Sequence, residues 1–279
     1  MTAELPERAS ATERLIDVPG AWLWTCDTGG AAEAIVLCHP ASQSGAVWVH
    51  QQSALVKAGF RVISYSRRGF GKSGRCRADN PGTEVDDLTH VLDALDVKRV
   101  HLLGAAAGGG VAMRFAVAHA DRVCSLILAG TILSPVDADW RAVFARLGID
   151  AIKDKVSTEF LELGPSYRAS NPEGTARFAE LSQNARWGDD IRQPSGVTLD
   201  WAAMQRTRAP TLLVTGEADL YAPPPLQRLL ASHLPVHELA TIPEAGHAPY
   251  WEAPDAFNAL VIGFLRRQLG SSDTATEPR

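Results

Sequence analysis

Three positions far apart in the chain carry the residue types of an acyl-transfer site. The first is Gly104-Ala105-Ala106-Ala107-Gly108, where an apolar run ends and a run of small residues begins. Small residues permit a sharp strand-to-helix turn and close packing of helix on sheet, which is what a G-x-S-x-G nucleophile elbow requires. The frame here is Gly104-x-Ala106-x-Gly108, complete but for the serine. The second position is Asp219, in Thr215-Gly216-Glu217-Ala218-Asp219, and the third is His247, in Glu244-Ala245-Gly246-His247; each follows an apolar run. A carboxylate that orients an imidazole, and an imidazole that takes a proton, are the two partners such a nucleophile needs. Glu217 is a second candidate for the acid. Two other glycine-rich readings fail on spacing. G-x-G-x-x-G demands glycine at 106 or at 113, where Ala106 and Met113 stand, and a P-loop demands a lysine after its second glycine, which is missing.

Residues so far apart meet only if the fold returns them to one edge. The apolar runs Glu33–Cys38, Phe60–Tyr65, Arg99–Gly104, Arg122–Gly130, Pro210–Gly216 and Val236–Ile242 alternate with helical patterns. Several are apolar throughout, as strands buried on both faces are. Val85, Leu88, Val91, Leu92 and Leu95 stripe one face of a helix that Thr83 and Asp86 can cap. Strands alternating with helices predict βαβ units and a mainly parallel sheet. Ala21–Cys26 reads as an antiparallel edge strand. From about Leu133 to Arg208 no strand pattern occurs, and a structureless loop of roughly 70 residues is improbable, so this stretch reads as an inserted helical cap. The predicted division is a core of 13–133 and 208–270, a cap of 134–207, and flexible tails at 1–12 and 271–279.

The 279 residues, 46% hydrophobic and with a formal net charge of −5, exclude wholesale disorder and give no general electrostatic grip on nucleic acid. Four cysteines, Cys26, Cys38, Cys76 and Cys124, are widely spaced and form no zinc-ligand pattern. Residues 1–15 lack the apolar core of a secretory signal, and no apolar stretch reaches the roughly 20 residues of a membrane span. A cytoplasmic protein follows, with no metal, no organic cofactor, no nucleic-acid or membrane partner, a small-molecule substrate, and a homodimer left open.

Other segments carry a resemblance. Leu37-Cys38-His39-Pro40-Ala41 looks like a strand ending in His-Gly-x, Tyr65-Ser66-Arg67-Arg68-Gly69-Phe70-Gly71-Lys72-Ser73 looks like a D-x-R-G-x-G-x-S turn with Ser66 for the Asp, and Gly246-His247 with Glu252-x-Pro254 looks like a histidine loop. Over roughly residues 20–268, with the order nucleophile position, acid, histidine, the chain resembles the cap-bearing branch of the α/β-hydrolase superfamily: esterases, lactonases and carbon–carbon bond hydrolases. The resemblance implies an α/β-hydrolase fold: a mainly parallel eight-stranded sheet flanked by helices, with the cap inserted after strand 6. It implies an oxyanion hole built from the N–H of Ala41, since Pro40 has none, and the N–H of Ala107 at a helix N-terminus. His39 then reads as structural. Ser42, Trp140, Phe144, Tyr167, Trp187 and Trp201 are candidates for a partly apolar substrate pocket. Arg67, Arg68 and Lys72 form a local basic cluster that either meets an acidic substrate or shapes a turn. The implied activity is serine-type hydrolysis of a carboxylic ester or lactone, with carbon–carbon hydrolysis as the alternative.

Ala106 cuts across that activity, because a methyl group cannot attack a carbonyl. Losing the serine of a Ser/His/Asp site costs about 10⁶-fold in kcat. Three readings remain: a parental serine was replaced by alanine; the chain works without a covalent intermediate, through His247 as general base or in a cofactor-free reaction; or it binds a ligand without chemistry.

Overall fold

The computed structural model describes residues 9–133, 137–187 and 191–273. Eight strands form one sheet: β1 (Thr12–Val18), β2 (Ala21–Asp27), β3 (Ala34–Cys38), β4 (Arg61–Tyr65), β5 (Val100–Ala105), β6 (Val123–Ala129), β7 (Thr211–Gly216) and β8 (His237–Ile242). Their spatial order is β1-β2-β4-β3-β5-β6-β7-β8, parallel from β4 onward and antiparallel for β1 and β2. This is the mainly parallel eight-stranded sheet of an α/β-hydrolase fold.

One expectation needs correction at the edge. Ala21–Cys26 is not the outermost strand, because β1 pairs with all of it in a hairpin turned by Pro19 and Gly20, the latter at φ 82°. β1 is exposed along most of its length, so it carries little hydrophobic period. Its cover explains why β2 buries Leu23 as well as Trp24 and Cys26, while Trp22 stays exposed.

The central strands alternate between two cores. Val36, Leu102, Leu128 and Leu213 point to one face and meet α2 (Glu84–Ala94), α3 (Ala107–Ala118) and α10 (Pro224–Ala231). Leu37, Leu103, Ile127 and Leu212 point to the other and meet α1 (Val49–Lys57) and α12 (Pro254–Asp273). A strand buried on both faces gains about 1.5–3 kcal/mol for each large apolar side chain, which fixes the register. Thr83 caps α2 by accepting from Asp86 N at 3.1 Å.

Between β6 and β7 lie α4 (Ala138–Arg146), α5 (Ile149–Ile152), α6 (Thr158–Glu162), α7 (Pro165–Ser170), α8 (Pro172–Gln183) and α9 (Trp201–Arg206), with no strand among the described residues. These helices are sewn to the core. Trp140 and Met204 join one core, Leu163 and Phe178 the other. The short α11 (Pro249–Glu252) follows the histidine loop, and its Glu252 Oε2 accepts from Gly164 N at 2.7 Å and Gly246 N at 3.0 Å, clamping cap to loop.

Candidate active site

Parallel strands present their carboxyl ends on one edge, and the crevice outside those ends is where α/β sheets bind ligands. β5 delivers Ala106, β7 delivers Asp219 and β8 delivers His247 to this edge. Ala106 sits between β5 and α3 at φ 47°, ψ −113°. Its N–H donates to Ala129 O at 2.9 Å, which pins the turn to β6. The flanking glycines are forced by contact: a Cβ on Gly108 would lie 2.0 Å from Cys38 O, and one on Gly104 would lie 2.4 Å from Gly108 O. The small residues in the motif are therefore what lets α3 start this close to β3 and β5.

His247 Nδ1 lies 2.9 Å from both Oδ1 and Oδ2 of Asp219. Asp219 Oδ1 also accepts from Tyr221 N and Ala222 N at 2.8 Å each, so the carboxylate is held by its own loop. Both groups are buried. Burial disfavours the His247 imidazolium, but Asp219 beside it outweighs burial, aided by Glu162 and Glu252, and the pKa is raised above 6.5. Glu217, the other candidate acid, instead accepts from Glu244 N at 3.2 Å at the surface.

Ala41, Ala106, Ala107 and His247 line one cavity of about 970 Å³. Among the described residues, the N–H groups of Ala41 and Ala107 find no acceptor, so both are available to an oxyanion. His39 is buried, bonded through Nδ1 to Pro40 O and through Nε2 to Arg67 N, and burial holds its pKa well below the usual value.

The cap contributes differently from the sequence-based expectation. Phe144 lines the cavity. Trp140, Tyr167, Trp187 and Trp201 do not: Trp140 packs edge-on to Trp201, Trp201 stacks on His233 with centroids 3.9 Å apart, Tyr167 packs in the core beneath α8, and Trp187 is exposed under Arg75. Ser42 reaches the site at one remove, donating to Glu162 Oε2 at 2.7 Å.

Glu162, Tyr221 and Arg114 carry no motif and escape the sequence reading. Glu162 closes α6, and its main-chain carbonyl accepts from His247 N (2.8 Å) and Ala248 N (3.1 Å). Those bonds set its carboxyl beside the imidazole, where burial raises its pKa against the opposing pull of His247 and Ser42. The Tyr221 ring lies 4.8 Å from His247. Its place two residues after Asp219 is the one signal that could have found it. The basic cluster divides: Arg67 pairs with Glu84 at 3.0 Å and Arg68 with Asp87 at 2.7 Å, all near the cavity wall, while Lys72 pairs with Glu13 at the surface.

The family model described as the alpha/beta hydrolase family matches residues 35–260. The chain belongs to that family. It is 31% identical over 251 residues to the protein named "Putative carbamate hydrolase RutD" of Caulobacter sp. (strain K31), covering 85% of this chain and 93% of that one. It is 28% identical over 262 residues to 2-hydroxy-6-oxononadienedioate/2-hydroxy-6-oxononatrienedioate hydrolase of Cupriavidus pinatubonensis, covering 86% and 89%. Among solved structures, it superposes on the enol-lactonase of Burkholderia xenovorans LB400 with a TM-score of 0.71 at 26% identity, over 91% of this chain and all of the other. These relatives are hydrolases of small molecules. Among the described residues, no helix is long and apolar enough to cross a membrane.

Proposed function

We propose that the cavity is an acyl site for a carboxylic ester or lactone of a small-to-medium molecule, with its covalent route closed at Ala106. The observation that carries this reading is the backbone of Ala106, which keeps the positive-φ elbow conformation beside an intact His247–Asp219 pair. With a serine at 106, His247 Nε2 would take the hydroxyl proton as the oxygen bonds to the carbonyl carbon. The N–H groups of Ala41 and Ala107 would receive the oxyanion. The alcohol would then leave with the proton from His247, and water would repeat the cycle on the acyl group. With alanine at 106 no such bond can form. His247 remains able to deprotonate a water or an acidic substrate, and Asp219 stabilises the imidazolium that results.

Carbon–carbon hydrolysis is the second reading. Its support is the name of the 28% identical relative, a hydrolase of an oxo-dienedioate.

The test is Ala106→Ser assayed on 4-nitrophenyl esters, lactones and thioesters. Hydrolysis should rise by several orders of magnitude, up to about 10⁶-fold. No gain on any of these substrates would refute the acyl-site reading. For the chain as it stands, turnover with no mass adduct on the protein supports His247 as a general base, and tight binding without turnover supports a ligand-binding role.

A further inference from the structure

Arg114 lies on α3 two turns beyond Ala106, and both line the cavity. Its head group turns back towards the start of the helix, the direction helical side chains take. A Cβ on Gly110 would come within 2.8 Å of Arg114 Nη1, so the guanidinium rests over Gly110. Nε donates to Val197 O at 3.1 Å. The two terminal nitrogens have no hydrogen-bond partner, and no carboxylate is in ion-pair contact with them, among the described residues. The nearby acid Glu84 is engaged by Arg67 at 3.0 Å. Arg192, which also lines the cavity, brings a second positive charge. Burial lowers the Arg114 pKa, Glu84 opposes this, and Arg192 adds to it, so Glu84 does not offset the burial of the guanidinium. A guanidinium is always charged and presents a planar fork that matches a carboxylate.

We propose that Arg114, flanked by Arg192, is a carboxylate-binding subsite, and that the substrate is a carbonyl compound carrying an anionic group at its far end. This rests on the reading of Ala106 and His247 as the acyl site. Gly110 is four residues beyond Ala106, about 6 Å along the helix at 1.5 Å per residue. Four to six bonds between carbonyl carbon and carboxylate span that separation. A half-ester of adipic acid has this length.

The experiment has two arms. In the first, calorimetry measures monomethyl adipate and dimethyl adipate binding to the chain as it stands. The anion should bind about 10- to 100-fold more tightly, as a charge-assisted hydrogen-bonded pair provides. Arg114→Gln should erase the difference, Arg114→Lys should restore part of it, and 0.5 M salt should weaken it. In the second, the Ala106→Ser protein hydrolyses 4-nitrophenyl hydrogen adipate and 4-nitrophenyl hexanoate. The ratio of their kcat/KM values should collapse when Arg114→Gln is added; a ratio within one protein is indifferent to how much of it is folded. Equal binding of the two adipates, or a ratio that Arg114→Gln leaves alone, overturns the subsite even if Ala106→Ser hydrolyses both esters. If Ala106→Ser hydrolyses nothing while monomethyl adipate still binds through Arg114, the acyl reading fails and the subsite stands.

Discussion

Ala106 is an L-residue in a conformation that suits glycine, and replacing it by glycine should stabilise the protein. Its φ of 47° and ψ of −113° fall near +60°, −120°, the first central position of a type II′ turn, where glycine dominates. A non-glycine residue held in a sparsely populated region costs about 1–3 kcal/mol. Ala106→Gly removes that cost and gives back about 0.4–1 kcal/mol, because the unfolded chain gains freedom. The net gain is about 1 kcal/mol, or a rise in Tm of about 2–4 °C. Thermal unfolding followed by circular dichroism measures it. Ala106→Ser, which keeps a Cβ, should leave Tm within about 1 °C of the starting value, since it retains the strain. Glycine lowering Tm by more than 2 °C would refute the reasoning, for it would mean that the turn is not strained or that the methyl group packs. The contrast matters for function: a position tuned for stability alone would hold glycine, and one whose side chain must stand at the sheet edge cannot.

Other perturbations test neighbouring links. Gly130→Ala would bring a Cβ to 2.9 Å from His247 O, 3.1 Å from His247 Nδ1 and 3.2 Å from Asp219 Oδ2; displacing the pair by a few tenths of an ångström should lower kcat/KM by about 10-fold in the Ala106→Ser background, short of the roughly 100-fold that a 1 Å misplacement costs, and an unchanged rate would contradict the pair's role as base. Glu162→Gln removes a negative charge that helps raise the His247 pKa, so the alkaline-rising limb of the pH–rate profile in that background, which requires neutral imidazole, should move to lower pH; imidazole proton shifts followed by NMR would check the direction independently. The same substitution removes a carboxyl whose pKa burial raises, so the chain with Glu162 should lose stability relative to Glu162→Gln as pH rises through that raised pKa, a change that melts across a pH series would reveal. Arg68→Met leaves the buried Asp87 carboxylate with Gln193 Nε2 at 2.7 Å but without its counter-charge; removing one partner of a buried pair costs about 3–5 kcal/mol, and a Tm loss under about 4 °C would show that Gln193 or water already screens it.

The fold was legible because its signals are redundant. Val36, Leu102, Leu128 and Leu213, and their neighbours on the other face, are apolar throughout, and only a sheet covered on both sides buries them all. Asp219 and His247 were legible as a pair because each follows such a strand, and parallel strands end together. The cavity wall was not. Trp140 and Trp201 drew attention by size, yet their surfaces are satisfied by each other and by His233. Arg114 and Glu162 face the cavity, yet neither belongs to a periodic pattern, because what holds them is tertiary: the bond to Val197 O for one, and the bonds from His247 N and Ala248 N for the other. Glu33, His101 and Cys124 converge likewise at the opposite edge of the sheet, where the His101 ring is satisfied by Ser125 and Glu33.

The charge arrangement around His247 bears on what alanine at 106 leaves behind. Two carboxylate oxygens 2.9 Å from Nδ1 place the proton of the neutral ring on that nitrogen, so in the neutral ring Nε2 carries the lone pair. Asp219 cannot turn away, because Oδ1 is fixed by the amides of Tyr221 and Ala222. The base is therefore assembled without help from position 106. A serine would supply a proton and an oxygen; it would not supply the orientation or the basicity of the ring. Deleting the oxygen changes where His247 finds its proton, and leaves the N–H groups of Ala41 and Ala107 open towards the same cavity. Intramolecular placement of a reacting group is worth up to about 7–11 kcal/mol. Without it, on the proposed acyl-site reading, the remaining catalytic power would rest on how well the cavity fixes the substrate and a water, which would make the proposed Arg114 subsite decisive for any turnover the alanine form retains.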